Sequence, residues 1–163
     1  MRPIALLLLA AVLLAGCGGD DTADTAGTAD AAVTLDTAST DLGTVLVDGD
    51  GRTLYLFDSD PEGESACTDA CAETWPPVAG PAEATGDADP ALVGTITRPD
   101  GSTQATYAGH PLYLYAADSA PGDVTGQGVG EVWWVLAPDG AAIHDVAGAG
   151  TETSATGVDG PAY

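Results

Sequence analysis

The chain contains no lysine. Its basic side chains are three arginines, Arg2, Arg52 and Arg98, against 25 Asp or Glu, which gives a formal net charge of −22 over 163 residues. A surface this anionic repels phosphate backbones and anionic headgroups, so nucleic-acid binding and membrane adhesion through a basic patch are both excluded. Long apolar runs are equally scarce: the one candidate, Ile4–Leu14, has eleven residues and is too short to span a bilayer as a permanent helix. No Gly-x-Ser-x-Gly or other nucleophile setting accompanies His110 or His144, which read as turn and edge residues. No catalytic residue, cofactor or metal site is therefore assigned. The length suits one domain.

What is present begins with an address. Arg2 and the free amine precede the apolar run, which reads as the core of a signal peptide over residues 1–16. The run ends in Leu14-Ala15-Gly16-Cys17, which resembles a bacterial lipobox. That resemblance implies cleavage before Cys17 and a diacylglyceryl group on its sulfur, placing the protein outside the cytoplasm and anchored to a bacterial cell membrane. With Cys17 assigned to lipid, the three cysteines leave one pair, Cys67 and Cys71. Charged partners on that side of the membrane are expected to be cations or envelope proteins.

Residues 17–41 are rich in Asp, Thr, Ala and Gly and read as a lipidated cysteine followed by a flexible acidic tether; residues 147–163 read as a loose tail. The segment between, 42–146, repeats itself. A shift of 58 positions places Leu54, Tyr55, Leu56, Phe57, Asp60, Glu73 and Trp75 on Leu112, Tyr113, Leu114, Tyr115, Asp118, Glu131 and Trp133. Repeat one spans about 44–90 and repeat two about 93–146.

Both copies carry β signals. In Thr53–Phe57 and Pro111–Tyr115, residues two apart share a face, and both faces are apolar, so each run is expected to be a central strand covered on both sides. Asp-Gly and Pro-Asp-Gly turns separate further candidates, giving strands near 44–48, 52–58, 93–98, 103–108, 111–117, 132–137 and 141–145. One helical turn is expected over Ser65–Glu73. The expected fold is all-β: two related repeats of short antiparallel strands packed as a small sandwich or barrel-like unit.

The repeated motif is Tyr-x-aromatic-x-x-Asp, formed by Tyr55, Phe57 and Asp60 and again by Tyr113, Tyr115 and Asp118. Around it lie Cys67-x-x-x-Cys71-x-x-x-Trp75-Pro76-Pro77, Gly109-His110-Pro111-Leu112-Tyr113 and Gly122-Asp123-x-x-Gly126-Gln127-Gly128-x-x-x-x-Trp133. Over about residues 44–140 the chain resembles the bacterial envelope lipoproteins built from the "secreted repeat of unknown function". The resemblance carries no catalytic residues or cofactor with it. In the second copy Thr125 and Val129 replace the two cysteines.

Each candidate site has competing readings. Cys67 and Cys71 read first as a structural disulfide, with a redox dithiol and a metal pair as rivals; Asp69 and Glu73 nearby would raise a thiol pKa when reactivity needs it lowered. Asp60 and Asp118 are expected to accept backbone N–H bonds in the turn after each strand, with cation binding as the rival. Asp48-Gly49-Asp50-Gly51 reads as a hairpin turn, because it lacks the remaining ligands of a calcium loop. Trp75, Trp133 and Trp134 could line a ligand site, yet rings recurring at fixed repeat positions belong more naturally to a core. The functional expectation is a non-catalytic binding or structural component of the envelope, the alternative being a redox or electron-transfer accessory using Cys67 and Cys71 or a bound cofactor.

Overall fold

The computed structural model describes residues 32–144. The signal peptide, Cys17, the first part of the tether and the tail expected over 147–163 lie outside the described residues. The described chain is mostly β, in three three-stranded sheets, with one helix of five residues and two 3-10 turns. Its strands are β1 Val33–Thr40, β2 Gly43–Asp48, β3 Tyr55–Phe57, β4 Ala82–Ala84, β5 Val93–Thr97, β6 Thr103–Tyr107, β7 His110–Pro111, β8 Trp133–Leu136 and β9 Ala142–Ile143. Helix α1 is Ala70–Thr74. The sheets run in the orders β2-β1-β4, β3-β8-β9 and β5-β6-β7, and none closes into a barrel.

The structure departs from expectation at the edges of the repeats. The expected tether, 17–41, includes β1, which pairs antiparallel with β2 and parallel with β4. Val33-Thr-Leu-Asp-Thr-Ala-Ser-Thr has little apolar bulk, but Leu35 is wholly buried and both sides of the strand find partners. Strand β4 was likewise not expected. The helix begins later than Ser65: Asp69, at φ 51°, stands before Ala70 in a conformation that no helix can pass through, so Cys67 lies in the preceding loop.

The runs Leu54–Phe57 and Leu112–Tyr115 sit at the centre. The Tyr55 N–H donates to the Tyr113 carbonyl at 2.9 Å, and the Tyr113 N–H to the Tyr55 carbonyl at 3.0 Å. Such a reciprocal pair is ordinary in antiparallel pairing; because its two members are equivalent positions of the two repeats, it lies on a candidate two-fold axis between two halves of one chain. The surrounding pairs obey it. Tyr55 stands opposite Val135, and Tyr113 opposite Pro77. Asp58 N–H donates to the Val132 carbonyl at 2.8 Å, and Ala116 N–H to that of Thr74 at 2.9 Å. Each repeat's Tyr run is thus paired with the other repeat's Trp segment, but the two are not equally regular: the strand expected over 111–117 is reduced to the two-residue β7 and isolated bridges at Tyr113, because Pro76 and Pro77 opposite it have no N–H to extend a ladder.

This crossing sorts the core. Leu54 and Leu56 face an aliphatic cluster with Leu35, Leu46, Leu112 and Leu136. Tyr55 and Phe57 face a second cluster with Tyr113, Trp75, Trp133 and Val135. Apolar side chains on both faces of the strand are covered, which is a sandwich-like arrangement.

Candidate functional site

The repeated Tyr-x-aromatic-x-x-Asp motif is completed across the repeats. The Tyr55 hydroxyl donates to Asp118 Oδ2 at 2.7 Å, and the Tyr113 hydroxyl donates to Asp60 Oδ2 at 2.6 Å. Each tyrosine therefore pairs with the other copy's aspartate. The second carboxylate oxygen holds the loop that follows: Asp60 Oδ1 accepts from the Ala66 N–H at 2.7 Å, and Asp118 Oδ1 from both the Thr125 N–H and hydroxyl. The backbone bonds were expected; the phenol bonds were not, because sequence adjacency says nothing about which copy supplies the partner.

Burial and the short bonds act on the titration of these groups. Desolvation, reinforced by the bond to the aspartate, pushes the Tyr55 and Tyr113 phenols above their usual range, so both stay neutral. Asp60 is also raised by burial, against the lowering effects of the Tyr113 hydroxyl, the Ala66 N–H and the charges of Arg98 and His110.

Six rings assemble above this pair. Trp75 and Trp133, 4% and 5% exposed, lie face to face with centroids 3.9 Å apart and planes 3° from parallel. Tyr115 stacks on the outer face of Trp75 at 4.2 Å, and Phe57 on Trp133 at 4.3 Å. Tyr55 meets Trp75 edge-on at 5.4 Å, and Tyr113 meets Trp133 edge-on at 5.1 Å. These two edge contacts stay within a repeat, while the stacks, and a longer edge contact of Tyr55 with Tyr115 at 6.3 Å, cross between repeats. Gly126 is required here: a Cβ there would stand 2.8 Å from Trp75 and 2.9 Å from Tyr55, and its N–H donates to the Tyr55 hydroxyl at 3.2 Å. Trp134 lies on the opposite face of β8, half-buried, with its indole N–H on Asp58 Oδ2 at 2.7 Å and its ring edge-on to His144.

The two halves differ around the cysteines. Cys67 and Cys71 form a disulfide with Cα atoms 5.2 Å apart, and Cys67 is fully buried. The Cys67 carbonyl accepts from Arg98 at 2.6 Å. Arg98, itself buried, also donates to Ser65 Oγ at 2.8 Å and to Gln104 Oε1 at 2.6 Å. Ser65 Oγ lies 2.8 Å from the Tyr113 hydroxyl, whose one proton goes to Asp60, so Ser65 donates to it. A chain of bonds thus runs from the Arg98 cation through Ser65 and Tyr113 to the Asp60 carboxylate. Sequence reasoning missed Arg98; the signal available was a lone arginine before a Pro-Asp-Gly turn in a chain almost without cations.

Shallow clefts flank this chain, the smallest, of ≈ 240 Å³, lined by Glu64, Ser65, Thr97, Arg98 and Pro99. One of ≈ 440 Å³ is lined by Thr68, Asp69, Ala72, Arg98, Pro99 and Asp100. Another, of ≈ 350 Å³, is bounded by Asp60, Glu62 and the exposed His110. Among the described residues no group of three or more His, Cys, Asp or Glu could hold a metal ion. Asp48 Oδ1 accepts from the N–H groups of Asp50 and Arg52, closing the hairpin turn. Also among the described residues, no helix is long and apolar enough to cross a membrane.

A family model described as "secreted repeat of unknown function" matches residues 36–79 and again 94–137, two segments offset by 58 positions. Neither the curated proteins nor the solved structures gave a match.

Proposed function

Since the chain belongs to the secreted repeat of unknown function family, we propose that it is an exported envelope lipoprotein, held to a bacterial cell membrane through lipid on Cys17, whose folded domain has a non-catalytic binding or structural role. The observation that carries the non-catalytic reading is the crossed pairing of the motif: both tyrosine hydroxyls and both aspartates are spent on bonds between the repeats and their loops. A catalytic acid, base or nucleophile must face a substrate, whereas Tyr55, Tyr113 and Asp118 are buried and Asp60, though it borders a cleft, has both carboxylate oxygens engaged. The closed Cys67–Cys71 bridge, with Cys67 buried, likewise supports a structural reading of the cysteines over a redox dithiol.

The anchor is tested by Cys17→Ser in the producing bacterium. The substituted protein should either leave the membrane fraction or remain as an unprocessed precursor, while the unaltered protein needs detergent for extraction. Unchanged, detergent-dependent extraction of the variant would overturn the lipid assignment. Native protein that reacts with thiol reagents at Cys67 and Cys71 would overturn the structural reading of the pair.

A further inference from the structure

The six-ring cluster and the two tyrosine–aspartate bonds together have the parts of a one-electron relay. We infer that the Trp75–Trp133 pair gives up an electron to a cationic one-electron oxidant at the protein surface and is refilled by Tyr113 or Tyr55, with the phenolic proton passing to Asp60 or Asp118. The inference goes beyond the proposed envelope role and does not depend on the lipid anchor.

Tryptophan and tyrosine are the side chains most readily oxidised by one electron without a cofactor. Two indoles in parallel contact at 3.9 Å overlap their π systems, so a positive hole on one is shared with the other. Each indole also has a tyrosine ring against its edge, at 5.4 Å for Tyr55 and 5.1 Å for Tyr113. A phenol gives up an electron easily only if its proton leaves at the same time, which needs a base on the hydroxyl. These two have one. Their hydroxyls donate to carboxylates at 2.7 and 2.6 Å, the range of strong charge-assisted bonds. Tyr107, also fully buried, donates to the Pro138 carbonyl, which cannot hold a proton.

The oxidant, an oxidised cationic metal complex, gains one electron and falls by one unit of charge; the indole pair becomes a radical cation. An electron then passes from Tyr113 to the indole pair, and its proton moves along the hydrogen bond to Asp60 Oδ2. A neutral tyrosyl radical, a neutral carboxylic acid and the restored indoles remain. Tyr55 and Asp118 do the same on the other side of the two-fold relation. The net charge of −22 concentrates cationic oxidants at the surface over anionic ones. Ser65, held by Arg98, donates to the Tyr113 oxygen and keeps a hydrogen bond on it after the proton has gone.

The test uses the full chain with Tyr115→Phe and Tyr163→Phe, which leaves Tyr55, Tyr107 and Tyr113 as the tyrosines. A ruthenium polypyridyl cation is photo-oxidised beside it, and radicals are followed by transient absorption and electron paramagnetic resonance. A tryptophanyl signal should form first and convert to a tyrosyl signal. Adding Asp60→Asn and Asp118→Asn should cut the rate of that conversion by at least about tenfold, since an amide is a far weaker base. Near-ultraviolet circular dichroism checks that the variant folds. If it does not, Tyr55→Phe with Tyr113→Phe takes its place and should abolish the tyrosyl signal, leaving a persistent tryptophanyl radical. Absence of a tyrosyl signal in the starting protein, or an undiminished one in the folded variant, overturns the relay.

Discussion

Replacing Tyr55 by Phe removes one hydroxyl and no ring, which isolates the bond between the repeats. Asp118 is 8% exposed, so its Oδ2 has little water to turn to, and the Gly126 N–H loses its acceptor as well. Hydrogen bonds to charged groups contribute about 1.5–3 kcal/mol, which puts Tyr55→Phe at about 2–3 kcal/mol. Asp118→Asn keeps one acceptor oxygen for its two sets of donors and should cost about 1–2 kcal/mol. Because the two residues share the bond, the double variant should fall short of the sum by about 1–2 kcal/mol. The informative control is Tyr55→Phe with Asp60→Asn, from the same copy of the motif. Tyr55 and Asp60 share no hydrogen bond, so that pair should be additive within about 0.5 kcal/mol. Urea unfolding followed by tryptophan fluorescence reads all of these against a total of about 5–15 kcal/mol for a domain of this kind. Coupling within one copy and additivity between copies would refute the crossed arrangement.

The same site predicts a dependence on pH. Asp60 holds its proton more tightly folded than unfolded because burial raises its pKa, so between the ordinary carboxylate value and the raised one the folded chain carries more protons. Stability from this residue therefore falls as pH rises through that window, and relative to Asp60→Asn the unaltered protein should gain as pH drops from neutral toward about 4. A difference that shrinks or stays flat in calorimetry would count against it. In the aromatic cluster, Trp75→Ala and Trp133→Ala should each cost about 3–5 kcal/mol. Trp134→Ala should cost less, its ring being half-buried on the other face of the strand.

Much of this fold could be read from the chain because the signals were local. Alternation around Tyr55, and Asp-Gly turns, mark strands without any knowledge of their partners, and the 58-residue offset is visible as a repeat, whereas the same alternation around Tyr113 yields only isolated bridges because its partner segment carries prolines. Strand β1 could not be read that way: Val33–Thr40 resembles the acidic stretch before it, and what orders it is pairing with β2 and β4, one of them almost fifty residues away. The crossed partnership of tyrosines and aspartates was hidden for a related reason. A duplication shows that two units are alike, but an internal contact and an exchanged one produce the same repeat pattern. Arg98 gives no signal in the sequence because a single arginine carries no periodicity; the fold alone brings it to Ser65, Gln104 and the Cys67 carbonyl.

The central claim is that neither repeat contains a complete core, since each Tyr run is paired with the Trp segment of the other. The most direct test separates the halves: residues 32–90 and 91–144 are prepared as two polypeptides and studied by near-ultraviolet circular dichroism, alone and mixed in equal amounts. If the core is built between repeats, each half alone should lack the ordered aromatic signal, and the mixture should recover the signal of the intact chain. A native aromatic signal from either half as a monomer would contradict it.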